Sequence, residues 1–300
     1  FEKADLLMVT DGICSISDAF AEDFAKAKYA IEIKASAPIL NQNGYVNLKK
    51  ARHPLIDKDV VVPIDITLGK AYTSLIITGP NTGGKTVSIK TAGLLCLMSK
   101  SGLFIPAADN SEVAFFDNIY ADIGDEQSIE QSLSTFSAHM SNIIDIISKI
   151  TEDSLVLIDE LGSGTDPAEG AALAMAIIEY IQNFGTRLIC TTHYAELKIF
   201  AVSNPHAENA SCEFDVTTLK PTYRLITGLP GKSNAFAIAS RLGLSDKIID
   251  VAKEKLSNET VKMDSILADI EISRKQIEFD AREAAQMRKE AQTVLSGQEQ

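Results

Sequence analysis

The chain has 300 residues, of which 45% are hydrophobic, and a formal net charge of −13 at pH 7. This size and composition predict one large domain or two smaller ones with a substantial core. The acidic balance argues against a broadly basic nucleic-acid surface, though not against a local basic patch. No apolar run reaches 18 residues, so we predict no transmembrane helix and no membrane partner.

The start of the chain and its cysteines favour a cytoplasmic protein. The sequence begins at Phe1 with charged neighbours, which does not resemble a signal peptide and is typical of a fragment of a longer protein. Cys14, Cys96, Cys190 and Cys212 are far apart and form no C-x-x-C pair. We therefore expect reduced cysteines rather than a disulfide framework.

The first 43 residues predict the end of a helical arm. Apolar residues recur at helical spacing between residues 5 and 34, with a possible break at Asp11-Gly12. A turn cluster at residues 41–44 and an alternating, strand-like stretch at 45–48 follow. The arm is therefore predicted to end near residue 43.

The segment from residue 52 to residue 66 has two interpretations. A segment just before a phosphate-binding loop often covers the adenine of a nucleotide, so Val60, Val61 and Val62 could contact a base. They could equally form a plain edge strand. No aromatic residue lies between 55 and 71, so ring stacking from this segment is not expected. His53, followed by Pro54 and with no metal-ligand cluster nearby, is typical of a turn.

The most specific chemical pattern spans residues 74–86. A short apolar run is followed by Gly79, four residues and Gly84-Lys85-Thr86, which is a phosphate loop between a strand and a helix. The glycines allow backbone N–H groups to face a phosphate, and the helix directs its positive end at the same anion. Lys85 is predicted to contact the β- and γ-phosphates, and Thr86 to offer its hydroxyl to Mg²⁺. The predicted nucleotide-binding residues here are Gly79, Pro80, Asn81, Thr82, Gly83, Gly84, Lys85, Thr86 and Val87.

Residues 113–120 predict one strand, and a helix is predicted from about residue 132 to residue 150. Between them, Asp122, Asp125 and Gln127 could sense the γ-phosphate, Mg²⁺ or the attacking water, or could belong to a solvated acidic loop. Ser134 lies at the predicted start of the helix. It could cap that helix, or form a second anion site with the helix N-terminus.

A buried strand at residues 155–158 ends in two carboxylates, Asp159 and Glu160. In an open α/β sheet, ligands bind at this end of the strands, and two acids there are costly to bury without partners. We predict that Asp159 holds Mg²⁺ through water and that Glu160 orients or deprotonates the attacking water.

The following segment predicts another helix and strand. Asp166 or Thr165 could cap a helix at 168–181, with Pro167 in its first turn. The strand at 187–192 ends directly before His193. A lone histidine is usually structural, but this one follows the strand after the acidic pair, so we predict a contact with the γ-phosphate.

The last third of the chain predicts a hairpin and further helices. Strand-like segments at 212–216 and 222–226 form the hairpin, and residues 235–256 have a helix-turn-helix pattern. Its second helix carries Asp246, Asp250 and Glu254, which favours packing or dimerisation over DNA reading. From residue 257 the spacing of apolar residues predicts a weak coiled-coil arm.

Several motifs resemble the ATPase domain of the MutS superfamily. They are the phosphate loop with Asn81, Ser134-Thr135-Phe136, the run of residues 159–165, and Thr192-His193-Tyr194. Residues 118–128, 166–172 and 231–236 are similar to its second bacterial branch, MutS two. The resemblance covers residues 1–256, and the arm matches that branch's linker. Thr82 and Thr86 stand where mismatch-repair members typically carry Met and Ser, and no mismatch-binding domain is present, so a mismatch reader is not expected.

The resemblance implies a phosphate-loop NTPase of the ABC-type ATPase class, with a mixed central sheet flanked by helices. It implies ATP and Mg²⁺ as cofactors, and a homodimer in which Ser134 reaches the γ-phosphate bound by the other subunit's Lys85. The implied catalytic residues are Lys85, Glu160 and His193, and the implied metal residues are Thr86 and Asp159. The branch is described as acting on branched DNA, where it suppresses recombination, and as splitting collided ribosomes. Its nuclease-like Smr domain is not in this chain, so no nuclease activity is expected.

These patterns predict an arm at 1–43, an ATPase domain at 44–234, a dimerising helix-turn-helix at 235–256 and a coiled-coil arm at 257–300. ATP would clamp two subunits and hydrolysis would release them. A transporter ATPase should carry an L-S-G-G-Q signature, but residues 130–153 contain no glycine. A chromosome-organising ATPase needs a long coiled coil between Lys85 and Asp159, for which there is no room. A nucleotide-gated binding module with little turnover would keep every residue, so that alternative stays open.

Overall fold

The computed structural model describes residues 14–79, 83–124, 135–215, 218, 220–231, 235–255, 280 and 287. The chain divides into two compact units between residues 233 and 234. The helices and strands of the first unit, in chain order, are α1 (Cys14–Glu32), β1 (Ile39–Asn41), β2 (Val46–Ala51), β3 (Ile64–Leu68), β4 (Ser74–Thr78), α2 (Lys85–Lys100), β5 (Glu112–Ala114), β6 (Asn118–Asp122), α3 (Thr135–Ile147), β7 (Ser154–Ile158), α4 (Pro167–Asn183), β8 (Arg187–Thr191), α5 (Ala195–Ser203), β9 (Ala207–Asp215) and β10 (Lys220–Thr227).

A six-stranded sheet forms the centre of the first unit, in the order β10-β9-β4-β8-β7-β6. The five strands from β9 to β6 run parallel, and β10 pairs with β9 in the antiparallel direction. The predicted mixed sheet and the predicted hairpin are therefore confirmed. Because the parallel strands share one carboxyl edge, β4 leads into Gly79 and β7 into Asp159 at the same edge.

Helices pack on both faces of this sheet, as predicted. Successive side chains of a strand point to opposite faces, and β4 illustrates this in its fully buried middle. Leu75 and Ile77 join a core with α2 and a smaller sheet, whereas Ile76 joins a second core with α3, α4 and α5. The loops at the carboxyl edge therefore project from a scaffold that is packed on two sides.

The smaller sheet has the order β1-β5-β2-β3 and corrects one prediction. Residues 113–120 do not form one strand, because β5 belongs to the smaller sheet and β6 to the central one. Between them Phe116 is 2% exposed, and its carbonyl accepts a hydrogen bond from the Lys100 ammonium at 2.9 Å. The Lys100 side chain thus satisfies a backbone carbonyl that, in a continuous strand, would bond to a neighbouring strand.

The edge-strand interpretation of Val60–Val62 is also wrong, since strand β3 begins only at Ile64. The N–H groups of Val60 and Val61 donate to the carbonyl of Asp57 at 3.1 and 2.9 Å, which closes a local turn. Pro63 has no N–H to offer to a sheet. The valines consequently lie in a loop.

The second unit contains α6 (Ala235–Arg241) and α7 (Asp246–Glu254). Ile249 is buried, whereas Leu242, Ile248 and Val251 are exposed. The predicted coiled-coil arm at 257–300, apart from positions 280 and 287, and the predicted break at Asp11-Gly12 lie outside the described residues. None of the helices that the structure describes combines the length and apolarity required to cross a bilayer.

Candidate functional site

The phosphate-loop pattern joins β4 to α2. All residues of β4 are buried, and α2 begins at Lys85 after Gly84, whose φ of 96° lies in the left-handed region that glycine tolerates. Gly79 also has a positive φ, 123°. The N-terminus of α2, the favourable end for an anion, therefore faces the carboxyl edge of the sheet. Pro80, Asn81, Thr82 and Ser134, which were also predicted to bind nucleotide, lie outside the described residues.

Lys85 lies within this loop with only 2% of its surface exposed. Its ammonium donates to the Gly79 carbonyl at 2.6 Å. Burial lowers the pKa of Lys85, and the carboxylates of Glu160 and Asp159 oppose that shift. The structure thus holds a partly desolvated cation beside two acids, at a position where a phosphate would meet a positive charge.

The side chains of Thr86 and Asp159, which are predicted to hold Mg²⁺, are in direct contact. The Thr86 hydroxyl donates to Oδ2 of Asp159 at 2.6 Å, and Asp159 is 8% exposed. The described residues contain no cluster of three or more His, Cys, Asp or Glu side chains suited to a metal. A hydroxyl and a carboxylate nevertheless fit Mg²⁺, which is typically held by one or two protein oxygens together with substrate phosphates.

Glu160 follows Asp159 in a strained conformation. Its φ of 52° is left-handed, which costs a residue with a Cβ about 1–2 kcal/mol. Its N–H donates to the Thr191 hydroxyl at 2.8 Å, and the next N–H, that of Leu161, donates to the Thr191 carbonyl at 3.0 Å. Such strain persists where neighbours over-determine the backbone, and it occurs frequently at functional sites.

Two side chains of α3, which the sequence patterns did not identify, contact the side chain of Asp122. This side chain is 4% exposed and accepts hydrogen bonds from Asn142 at 3.1 Å and pairs with His139 Nδ1 at 2.8 Å. The Asp122 carbonyl also accepts the Asp159 N–H at 2.8 Å. Asp122 therefore belongs to a hydrogen-bonded cluster that links helix α3 to the acidic edge, and the solvated-loop interpretation is wrong for this residue; Asp125 and Gln127 lie outside the described residues.

His193 follows the same edge of the sheet, after strand β8. Its ring is exposed and lies 4.5 Å, centroid to centroid, from the ring of Tyr194. The Tyr194 hydroxyl donates to the Gly162 carbonyl at 2.8 Å, which ties the segment to the loop after the acidic pair. A contact between His193 and a γ-phosphate stays a prediction.

An apolar cavity of about 380 Å³ lies beside the start of α2. Its size is within the range of small-molecule sites. The residues that line it are His53, Ile56, Val60, Val61, Val62, Ile64, Gly84, Val87, Ser88, Thr91 and Tyr223.

Tyr223 supplies the cavity with the aromatic ring that the segment at 55–71 lacks. Strand β10 brings this ring so close to Gly84 that a Cβ there would lie 2.9 Å from Tyr Cδ1. At the other side, burial lowers the pKa of His53, and the charge of Lys90 adds to that effect. The lining near neutral pH is accordingly apolar and aromatic, with a histidine biased towards its neutral form.

Comparison with known proteins gives a consistent result. Residues 75–260 match the family model described as MutS domain V. The chain is 57% identical over 290 residues to "Endonuclease MutS2" of Finegoldia magna, which covers 97% of this chain and 37% of that protein. It is 60% identical over 251 residues to the protein of that name from Caldanaerobacter subterraneus subsp. tengcongensis. This match covers 84% of this chain and 32% of that protein. The protein of the same name from Bacillus cereus is 53% identical over 299 residues, and the match covers 96% of this chain and 38% of that protein.

The fold and the family model together define a mixed α/β domain of the MutS type, and the chain belongs to the MutS domain V family. The predicted resemblance to the MutS two branch is confirmed by the relatives named Endonuclease MutS2. The chain spans between 32% and 38% of the length of these relatives.

Proposed function

We propose that this chain is an ATP-hydrolysing domain, a phosphate-loop NTPase of the ABC-type ATPase class. The observation that carries the proposal is the meeting of Lys85, Thr86, Asp159 and Glu160 at one edge of the sheet. Thr86 contacts Asp159 directly, and the charges of both acids act on Lys85. This combination supplies a cation for the phosphates, oxygen ligands for a metal and a carboxylate for water.

In the proposed reaction, water attacks the γ-phosphate in line and ADP leaves with inorganic phosphate as the second product. Lys85 and the N-terminus of α2 bind the phosphate oxygens. Glu160 orients the water and accepts its proton, and His193 contacts the γ-phosphate. Thr86 and Asp159 would hold Mg²⁺, which when bound neutralises phosphate charge.

We propose that the base of ATP occupies the apolar cavity. Val87 and Gly84 connect the cavity lining to the phosphate loop, so a base and its phosphates could follow one continuous surface. Val60 and Val62 would contact one side of the base, and Tyr223 would offer its ring. This retains the aliphatic interpretation of the valines and adds an aromatic partner from a distant strand.

A release assay for inorganic phosphate tests the proposed activity. The chain with ATP and Mg²⁺ should release phosphate in repeated turnovers, and chelation of the metal should stop it. The alternative is a nucleotide-gated clamp with little turnover. Tight ATP binding without repeated phosphate release would identify the clamp.

We further propose that the chain acts as a homodimer with composite sites. The exposed Leu242, Ile248 and Val251 of the second unit support a role of its helix pair in dimerisation. If Ser134 acts across the dimer, mixing inactive Lys85→Ala and inactive Ser134→Ala chains should restore some turnover, because one site then carries neither defect. An active Ser134→Ala chain, or no recovery in verified heterodimers, would reject the assignment in trans.

The wider proposal concerns the full-length protein in the cytoplasm. A MutS-type ATP clamp could act on branched DNA, on collided ribosomes or on both, and no nuclease activity is assigned to these residues. Pull-downs of full-length protein carrying Glu160→Gln, with and without ATP, should enrich the partner only in the ATP state. Enrichment of ribosomes or of branched DNA would identify the partner, and enrichment of neither would reject both.

A further inference from the structure

The hydroxyl of Thr191 lies between the two acids of the candidate site. Thr191 ends strand β8 and is fully buried. Its oxygen accepts the Glu160 N–H at 2.8 Å and donates its proton to Oδ1 of Asp159 in a short hydrogen bond. A single side chain therefore contacts both residues of the acidic pair, although 31 or more positions separate it from them along the chain.

The two carboxylate oxygens of Asp159 have different hydrogen-bond partners. Oδ2 accepts the Thr86 hydroxyl, while Oδ1 accepts the Thr191 hydroxyl. Thr86 and Asp159 are the residues proposed to hold Mg²⁺, so their mutual bond competes with metal binding. The bond from Thr191 uses the other oxygen and can fix the carboxylate plane while Oδ2 serves a ligand.

The bond to Glu160 holds the backbone on which the proposed base is mounted. The left-handed φ of Glu160 is disfavoured for a residue with a Cβ. Thr191 binds this turn twice, through its hydroxyl to the Glu160 N–H and through its carbonyl to the Leu161 N–H. Removing the hydroxyl would release one of these two restraints and take away the acceptor of the Glu160 N–H.

We infer that Thr191 is a positioning residue that sets both the metal-binding carboxylate of Asp159 and the backbone of Glu160. The inference rests on the proposed ATPase function. Residues that orient metal ligands typically change metal affinity or activity by about 10- to 100-fold when they are replaced. Thr191 should act on metal affinity and turnover, whereas the affinity for the nucleotide itself should depend on the phosphate loop and the cavity.

The test compares Thr191→Val, which keeps the branched shape and removes the hydroxyl, with Thr191→Ser, which keeps the hydroxyl. Thr186→Val is the matched control, because Thr186 is fully buried just before the same strand and donates to the Thr151 carbonyl at 2.6 Å. It removes an equivalent buried bond at the opposite end of β8. The measurements are Mn²⁺ affinity with a non-hydrolysable ATP analogue, ATP turnover, analogue affinity without metal, and Tm.

Thr191→Val should weaken Mn²⁺ binding and slow turnover by about 10-fold or more, with metal-free analogue affinity unchanged. Thr191→Ser should recover most of both losses, and Thr186→Val should lower Tm without either loss. Wild-type Mn²⁺ affinity in a folded Thr191→Val chain would overturn the inference. The inference would also be overturned if Thr186→Val lost as much Mn²⁺ affinity and turnover as Thr191→Val, with both losses in proportion to the fall in Tm. A wild-type chain with no turnover would instead contradict the proposed ATPase, and the Mn²⁺ comparison would still decide the role of Thr191.

Discussion

The acidic edge of the central sheet and the apolar cavity beside α2 are neighbours with opposite physical character. At the edge, Asp159 and Thr86 are fixed by short hydrogen bonds with defined donors and acceptors. In the cavity, Val60, Val62 and Tyr223 present aliphatic and aromatic surface. Directional bonds fix the positions of reacting groups, whereas apolar surface contributes affinity in rough proportion to its buried area. The edge should therefore determine the rate of hydrolysis, and the cavity should contribute mainly to affinity.

Among the substitutions that lower ATP affinity, Lys85→Met is expected to have the largest effect. Losing a buried cation that pairs with phosphate costs about 2 kcal/mol or more, which is roughly 30-fold in ATP affinity. Isothermal titration with ATP measures this loss. Lys149→Met, an exposed position just after α3 whose ammonium pairs with Asp145, serves as the control and should bind ATP like the wild type.

The same Lys85→Met chain should be at least as stable as the wild type. Burial lowers the pKa of Lys85 in the folded state, so the folded chain holds that proton less tightly than the unfolded chain. The charged side chain therefore costs stability at neutral pH. This cost falls as pH rises from the lowered folded-state pKa and is gone above the ordinary pKa of lysine in the unfolded chain. A lower Tm for Lys85→Met near pH 7 would contradict this reasoning.

Tyr223→Ala should affect the cavity alone. Base stacking on an aromatic ring contributes about 1–3 kcal/mol, and the lower value is expected because the residue Tyr223 is 47% exposed. This predicts roughly a 5-fold weaker ATP affinity with a nearly unchanged maximal rate. Tyr223→Phe keeps the ring and should retain the affinity. A large fall in maximal rate for Tyr223→Ala would show that the two regions are not separable.

Asp166→Ala tests a position outside both regions. The Asp166 side chain caps α4 by accepting the N–H groups of Ala168 and Glu169 at 3.0 and 3.2 Å. Losing this cap should cost about 1 kcal/mol of unfolding free energy and leave ATP affinity and turnover nearly unchanged. Asp166→Asn should retain most of the stability in a denaturant titration. A kinetic defect in Asp166→Ala without a stability loss would contradict a purely capping role.

The smallest effect is expected from thiol reagents. Burial raises the pKa of Cys96 and Cys190 to about 12 and that of Cys212 to about 11, so few thiolates exist at about pH 8. These three thiols should react only after unfolding, as mass spectrometry of alkylated peptides would record. Rapid labelling of Cys212 in the native chain would contradict its burial, since only 4% of this residue is exposed.

The two regions also differ in how far the sequence predicted them. The phosphate loop and Asp159-Glu160 are contiguous patterns whose chemistry depends on spacing within a few residues, so their elements were predicted correctly. Thr191 and Tyr223 are brought to the site by strand pairing. The sequence around a single strand residue does not indicate which distant residues it will contact. The cluster of Asp122 and His139 likewise depends on how α3 packs on the sheet. Tertiary contacts of this kind follow from the fold rather than from a motif.

Two strand predictions were wrong. Residues 113–116 and 119–120 are strand formers, but Asp117 and Asn118 between them are not, and the chain changes sheets at Phe116, where Lys100 binds the carbonyl. Val60 and Val61 have the β-branched side chains of a strand, but their N–H groups close a turn on Asp57. At Val60 and Val61 a local hydrogen bond outweighs strand propensity, which is a weak guide for short strands.

The most direct test of the central claim is to measure ATP turnover and ATP affinity together in Glu160→Gln. This change keeps the shape of the side chain and removes its charge and basicity. If the acidic edge determines the rate of hydrolysis, turnover should fall by roughly 100-fold or more while ATP affinity stays close to that of the wild type. Wild-type turnover in Glu160→Gln would contradict the account, and so would a loss of affinity that explains the whole decrease in rate.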